Sequence, residues 1–247
     1  MTVEQVIQKS SVEGVVIKIP TVQLDRDVYM GVKKRLEGIG GKWNGGKVWG
    51  FVFPTDPTDR LQEIQGGKKV NLKKDFQFFE TPKALAVSLV DLAELPKFAL
   101  CEILEPSAGQ GAIIKAIQLR YKKSDIHAIE LMPENRRVLD MMKGVKLNDE
   151  PDFMKVVIPQ RFDRIIANPP FSKNQDIDHV KKMYKLLRKG GRLVSVMSNH
   201  WNVSSNKKET EFKEWLDKVE SEVYDIPSGT FKKSGTLVGG KIVVINK

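Results

Sequence analysis

Cysteine, histidine and long apolar runs are what this 247-residue chain has least of. Its one cysteine, Cys101, can form neither an internal disulfide nor a cysteine zinc site, which excludes disulfide-stapled and zinc-finger classes. The three histidines, His127, His179 and His200, are scattered without the paired spacing of a metal site, so no metal is expected. No apolar run approaches the roughly 20 residues that a transmembrane helix needs. The first ten residues carry Glu4, Gln5, Gln8 and Lys9 where a signal peptide would have an apolar core. A cytoplasmic chain without a membrane partner is expected. Internal repeats and low-complexity tracts are lacking too.

Positive charge is what the chain has in excess. There are 41 Lys+Arg against 31 Asp+Glu, a formal net charge of +10, and 40% of residues are hydrophobic, enough for a sizeable core. Residues 1–75 hold 13 basic and 9 acidic side chains and the remainder 28 and 22, so the excess is diffuse. Such a balance suits a polyanionic partner such as nucleic acid, and equally an uninvolved basic surface.

From residue 98 onward short apolar runs alternate with helical spacing. Strands are expected at 99–104, 126–130, 164–167 and 193–197, with helices at 111–121, from Pro133, and at 176–187. Gly190-Gly191 is read as the stop of the last of these. Strands alternating with helices make βαβ units, hence an α/β fold with a parallel sheet covered on both faces. Two final strands, 219–226 and 237–245, are joined only by a Gly/Ser/Lys-rich loop and predict an antiparallel hairpin. The first 75 residues break this rhythm, with a strand at 15–19, a helix at 27–36 and a hairpin at 43–53 turning at Asn44-Gly45-Gly46. The chain therefore reads as a small α+β module over 1–70 and a larger α/β domain over 76–247, with residues 64–75 as linker.

Three constellations carry chemistry. Glu105-Pro106-Ser107-Ala108-Gly109-Gln110-Gly111 lies between a strand and a helix, where small residues and free N–H groups let a ligand approach closely. Its spacing matches neither a nucleoside triphosphate loop nor a clean dinucleotide fingerprint. Glu130, at the end of the next strand, is placed to bind ribose hydroxyls. Asn168-Pro169-Pro170-Phe171 ends a further strand. Two prolines stiffen the loop and leave carbonyls as acceptors, Asn168 adds a carboxamide oxygen, and Phe171 offers a stacking face. That set can hold both hydrogens of an amino group on a planar ring while its nitrogen attacks an electrophilic methyl. His127 reads as a core or sheet-edge residue, and Lys181-Lys182, Lys207-Lys208 and Lys232-Lys233 as solvated faces.

Taken together, these motifs resemble class I S-adenosylmethionine-dependent amino-methyltransferases, and in particular compact, phage-type N6-adenine DNA methyltransferases of gamma motif order. Phe79-Glu80-Thr81-Pro82 before a helix, Asp152-Phe153, the 186–197 unit and Phe231-Lys232-Lys233-Ser234-Gly235-Thr236 add to the likeness, which spans about 76–247. The resemblance implies a Rossmann-like, seven-stranded, mostly parallel sheet with an antiparallel C-terminal strand. It implies S-adenosylmethionine as cofactor and DNA as partner. Phe79 and Thr81 would meet the methionine end of the cofactor, with Glu105, Ser107, Gly109 and Gly111 along its carboxylate side. Glu130 would take the ribose, Leu131 and Phe153 would flank the adenine, and Asp152 would accept from the adenine amino group. Asn168, Pro169, Pro170 and Phe171 would be catalytic, with Phe231 as a second wall. Gamma-ordered members place a recognition domain after the catalytic one, whereas here only Asn246-Lys247 follow the last expected strand. The N-terminal module, with Lys42, Trp43, Trp49 and Phe51, is the expected substitute; those aromatics also suit a hairpin core. RNA bases and protein glutamine amides present the same planar amino group and stay open as substrates. So does a nucleic-acid-binding protein with a degenerate methyltransferase domain.

Overall fold

Thr2 opens the chain with a capping box. Its hydroxyl accepts from the Gln5 N–H at 3.2 Å, and its own N–H donates to the Gln5 side chain at 2.9 Å. The computed structural model describes residues 1–72, 80–96, 99–121, 124–159, 161–232 and 238–247. The chain divides into two compact units, Met1–Phe78 and Phe79–Lys247.

In the first unit, α1 (Val3–Gln8), β1 (Ser11–Glu13), β2 (Val16–Lys18), α2 (Arg26–Gly38), β3 (Lys42–Asn44), β4 (Gly50–Val52) and α3 (Thr58–Gln65) follow in order. The strands form an antiparallel sheet ordered β1-β2-β4-β3. Val6, Ile7, Ile17, Val32, Leu36, Phe51 and Leu61 make its core. The linker expected at 64–75 is corrected over its described part. Ile64 and Leu72 are buried and Val70 packs on the core, because apolar residues spaced among the lysines turn inward. Residues 73–75 lie outside the described residues.

The second unit runs α4 (Lys83–Leu92), β5 (Cys101–Glu105), α5 (Ala112–Arg120), β6 (Ser124–Ala128), α6 (Pro133–Asp140), β7 (Val145–Leu147) and β8 (Phe162–Ala167). It continues with α7 (Gln175–Leu186), β9 (Leu187–Ser198), α8 (His200–Val203), α9 (Lys207–Lys218), β10 (Glu222–Ile226) and β11 (Gly240–Asn246). Seven strands form one sheet ordered β10-β11-β9-β8-β5-β6-β7. Strands β5 to β9 are mutually parallel, and β11 runs antiparallel to both β9 and β10.

Alternation explains why the apolar runs are continuous. Ile103, Ile166, Val194 and Val244 enter the core on one face of the sheet, beside α4 and α5. Their neighbours Leu104, Ile165, Leu193 and Val243 enter the core on the other, beside α7 and α9. Each fully buried side chain of this kind contributes about 1.5–3 kcal/mol.

Gly190-Gly191 does not stop a helix. Helix α7 ends at Leu186, and the pair lies inside β9, with Gly190 at φ +75. Strand pairing steps from Phe162↔Leu187 to Arg164↔Arg192, so the glycines form a bulge that only residues without a Cβ can turn this tightly. At Gly191 a Cβ would stand 2.9 Å from the Arg188 carbonyl.

Candidate active site

The strand order reverses at β5, whose neighbours are β6 on one side and β8 on the other. Loops leaving the carboxyl ends of adjacent parallel strands open a crevice at such a point. The three sequence constellations leave β5, β6 and β8, strands spaced about 5 Å apart.

After β5 the chain turns through Gly109 at φ +54 and Gly111 at φ +73 into α5. Both conformations are in the left-handed region that glycine alone enters without steric cost. The turn is tied to β6 by Ala108 N–H to the Ile129 carbonyl and by Ile129 N–H to the Glu105 carbonyl, each at 3.0 Å. Gly109 N–H donates to Glu130 Oε2 at 2.7 Å, and Met132 N–H to Glu130 Oε1 at 2.8 Å. Asn135 Nδ2 adds a contact to the same carboxylate at 3.3 Å. Both of these last donors fall on Oε1, so Oε2 keeps a second lone pair for a ligand hydroxyl.

Burial raises the Glu130 pKa above the ordinary carboxylate value, against the hydrogen bonds from Met132, Gly109 and Asn135. Glu105 is more extreme. It is 2% exposed, and its Oε2 accepts no hydrogen bond among the described residues. Burial and then the Glu130 charge push its carboxyl well above the usual range, opposed only by the Ile114 N–H. A buried carboxyl oxygen without a donor, beside a second acid, suits a cationic or N–H-bearing ligand.

After β8, Asn168 and Phe171 are half-buried and Pro169 is buried. Asn168 Nδ2 donates to Thr81 Oγ1 at 3.0 Å, fixing the carboxamide to the segment just before α4. Phe171 packs against the core beside α4 and α5. The loop continues through Lys173 and Asn174, both left-handed at φ 55 and 57, into α7.

Other expected residues are placed as follows. Ser107 is half-buried in the β5 turn, and Leu131 is half-exposed just past Glu130. Asp152 caps its own turn, accepting from Met154 N–H at 2.9 Å, with Lys155 at 3.5 Å. Phe153 is 3% exposed and packs on the His179 ring, centroids 5.2 Å apart, so it is a core side chain here and no open wall for an adenine. Phe231 is likewise 3% exposed in the core, which withdraws it from the role of a second wall. Phe79 lies outside the described residues, as do 233–237 of the terminal loop. Lys42 and Trp43 are consecutive on edge strand β3 and so point to opposite faces.

In two of the lysine doublets one member is not a solvated side chain. Lys182 Nζ donates to the Phe153, Met154 and Val156 carbonyls, and Lys208 Nζ pairs with Asp178 at 2.7 Å and reaches the Asn174 carbonyl at 3.1 Å. Sequence reasoning also missed Glu209, whose carboxylate accepts from Asn174 Nδ2 at 2.7 Å. Its one local sign is its place three residues after Asn206, the N-cap of α9. Glu102, Asp125 and His127 could gather round an ion, but Arg188 and Lys146 already engage the two carboxylates, at the amino ends of the strands.

The methyltransferase small domain model matches residues 92–226. Over 114 residues, 44% of this chain, the sequence is 31% identical to type II methyltransferase M.CvrRI of Paramecium bursaria Chlorella virus XZ-6E, and spans 29% of that protein. Among solved structures, the methyltransferase subunit of a type I restriction-modification system from Streptococcus thermophilus superposes with TM-score 0.58 at 17% identity. That alignment covers 68% of this chain and 45% of the other. A putative class I S-adenosylmethionine-dependent methyltransferase from Listeria monocytogenes superposes with TM-score 0.54 at 12% identity, covering 76% and 67%. The chain thus spans under half the length of the first two of these relatives. With this sheet order and these matches, the chain has a Rossmann-like fold and belongs to the methyltransferase small domain family.

Proposed function

We propose that this chain transfers a methyl group to the exocyclic amino nitrogen of adenine in DNA. The observation that carries the reading is Asn168, its carboxamide held by Thr81 at the end of β8 and followed by two prolines and Phe171. The β5–β6 side fits the cofactor: two left-handed glycines for close approach, Glu130 for ribose hydroxyls, and Glu105 Oε2, without a donor among the described residues, near its charged end. When bound, S-adenosylmethionine supplies an electrophilic methyl on a sulfonium sulfur.

The protein's part is to orient and polarise the acceptor. The Asn168 carboxamide oxygen and the Pro169 carbonyl accept the two amino hydrogens, drawing electron density onto the nitrogen as it becomes cationic. Phe171 stacks on the base, and one amino proton leaves to water afterwards. A base in a duplex reaches such a loop only by flipping out. The viral type II methyltransferase relative and the net charge of +10 favour DNA.

The N-terminal unit is assigned to nucleic-acid contact. Trp49 is 71% exposed at φ +48, edge-on to Trp43, which is in turn edge-on to Tyr29. These rings, with Ile19, Val22 and Leu24, line a cleft of about 480 Å³. Exposed rings over a concave apolar floor suit stacking of an unpaired base.

Labelled methyl transfer to DNA, RNA and protein, followed by nucleoside and amino-acid digestion, tests the reading. Label is expected in N6-methyladenine from DNA. Label only in cytosine, in an RNA nucleoside or in glutamine would overturn it.

A further inference from the structure

Lys173 and Asn174 follow the proline loop in consecutive left-handed conformations, which non-glycine residues keep only where their surroundings hold them. The holding groups come from the first turn of α9, some 35 residues on. Glu209 accepts from Asn174 Nδ2 at 2.7 Å, and Lys208 donates to the Asn174 carbonyl at 3.1 Å while pairing with Asp178 at 2.7 Å. Asn174 N–H in turn donates to the Phe171 carbonyl at 3.2 Å. Helix α9 is a firm base for this contact, since Phe212 and Leu216 are buried in the core beside α7.

Glu209 is not an ordinary surface carboxylate. Its side chain is 1% exposed and lies 3.3 Å from His200 Nε2. Burial raises its pKa, but hydrogen bonds from its own backbone, Asn206 and Asn174, with His200 nearby, bring it below the usual value. The neighbouring Lys207–Glu211 pair shows what this surface otherwise looks like: 3.8 Å apart, with both side chains largely in solvent. Burying a carboxylate is costly unless it is well partnered. The Asn206 side chain accounts for part of that partnering and leaves the Asn174 bond to be explained.

We propose that Lys208 and Glu209 are positioning residues for methyl transfer: by clamping Asn174 they fix the backbone that carries Phe171, and so the face on which the target base stacks. This rests on the reading of Asn168-Pro169-Pro170-Phe171 as the target-holding loop. The clamp acts on the target and leaves the β5–β6 cofactor side untouched.

The test uses the full chain with Glu209→Ala, Glu209→Gln and Asn174→Ala. Asn174→Ala breaks the same bond without changing any residue of α9, so it serves should Glu209→Ala fail to fold. Measured are KM for a DNA substrate, the cofactor dissociation constant and the thermal midpoint. Glu209→Ala and Asn174→Ala are expected to raise KM for DNA about tenfold or more with cofactor affinity within twofold, and Glu209→Gln, which still accepts from Asn174, to restore KM within about threefold. An unchanged KM in folded Asn174→Ala, or a parallel loss of cofactor affinity, would overturn the clamp. Asn168→Ala run alongside separates the two readings. If it abolishes transfer while Asn174→Ala changes nothing, only the clamp fails. If Asn168→Ala is fully active, the loop reading fails and takes the clamp with it.

Discussion

Glu105 stores a cost that a ligand can relieve. Its carboxyl is buried, lacks a donor on Oε2 among the described residues, and has its pKa raised by burial and by Glu130. A raised folded-state pKa means the native protein holds a proton that the unfolded chain gives up near pH 4.5. The cost is therefore absent below that pH and grows as pH rises towards the folded pKa. Glu105→Gln removes the ionisation. In calorimetry of the cofactor-free protein, the variant's thermal midpoint should gain on the wild type between pH 5 and pH 8, while cofactor affinity falls about tenfold or more. A difference between the two proteins that is flat across that range would contradict this. Glu105, Glu130 and Asn168 were legible in the sequence because each sits at the end of an apolar run, where a strand hands over to a loop. Lys182 and Lys208 were not. Each belongs to a lysine doublet that looks solvated locally, while its partners stand 26–34 residues away along the chain.

Element by element, the strands of the large sheet were legible because burial on both faces makes them continuous apolar runs. What failed lacks that signature. Strand β7 is three residues with Lys146 between its two apolar positions, and α9 carries only Phe212, Trp215 and Leu216 among its charges. Helix α1 announced itself through Thr2 and Gln5, a signal too short to act on without the packing of Val6 and Ile7. The Gly190-Gly191 pair misled because a bulge and a helix stop ask the same of glycine. Gly111 shows the positive case: it is the N-cap of α5 at φ +73, and a Cβ there would stand 2.6 Å from Met142 Sδ. Gly111→Ala should cost about 1–2 kcal/mol for the left-handed backbone alone. Urea unfolding reads this as a lowered midpoint at unchanged slope, and an unaltered midpoint would show the turn to be relaxed.

Across the whole molecule, a diffuse charge of +10 is divided between the larger unit, which carries the strand-end motifs, and a smaller unit bearing an aromatic cleft. Charge gives affinity for a polyanion, and stacking on Trp49 would add to it independently of salt. Trp49→Ala should weaken DNA binding about fivefold to a hundredfold, leave the slope of log affinity against log salt unchanged, and leave cofactor affinity alone. Undiminished DNA affinity would remove the first unit from recognition. Composition alone never distinguished a nucleic-acid substrate from a basic surface. The strand-end motifs carry the proposed reading, because this fold gathers the ends of β5, β6 and β8 at one reversal of strand order. The central claim is that Asn168 acts on the target's amino group and not on the cofactor. It is tested most directly by Asn168→Ala, measuring cofactor dissociation by titration and methyl transfer to DNA in a single turnover. The account predicts cofactor affinity within about threefold of wild type and transfer slowed by at least about 100-fold. Equal losses in both, or transfer at the wild-type rate, would contradict it.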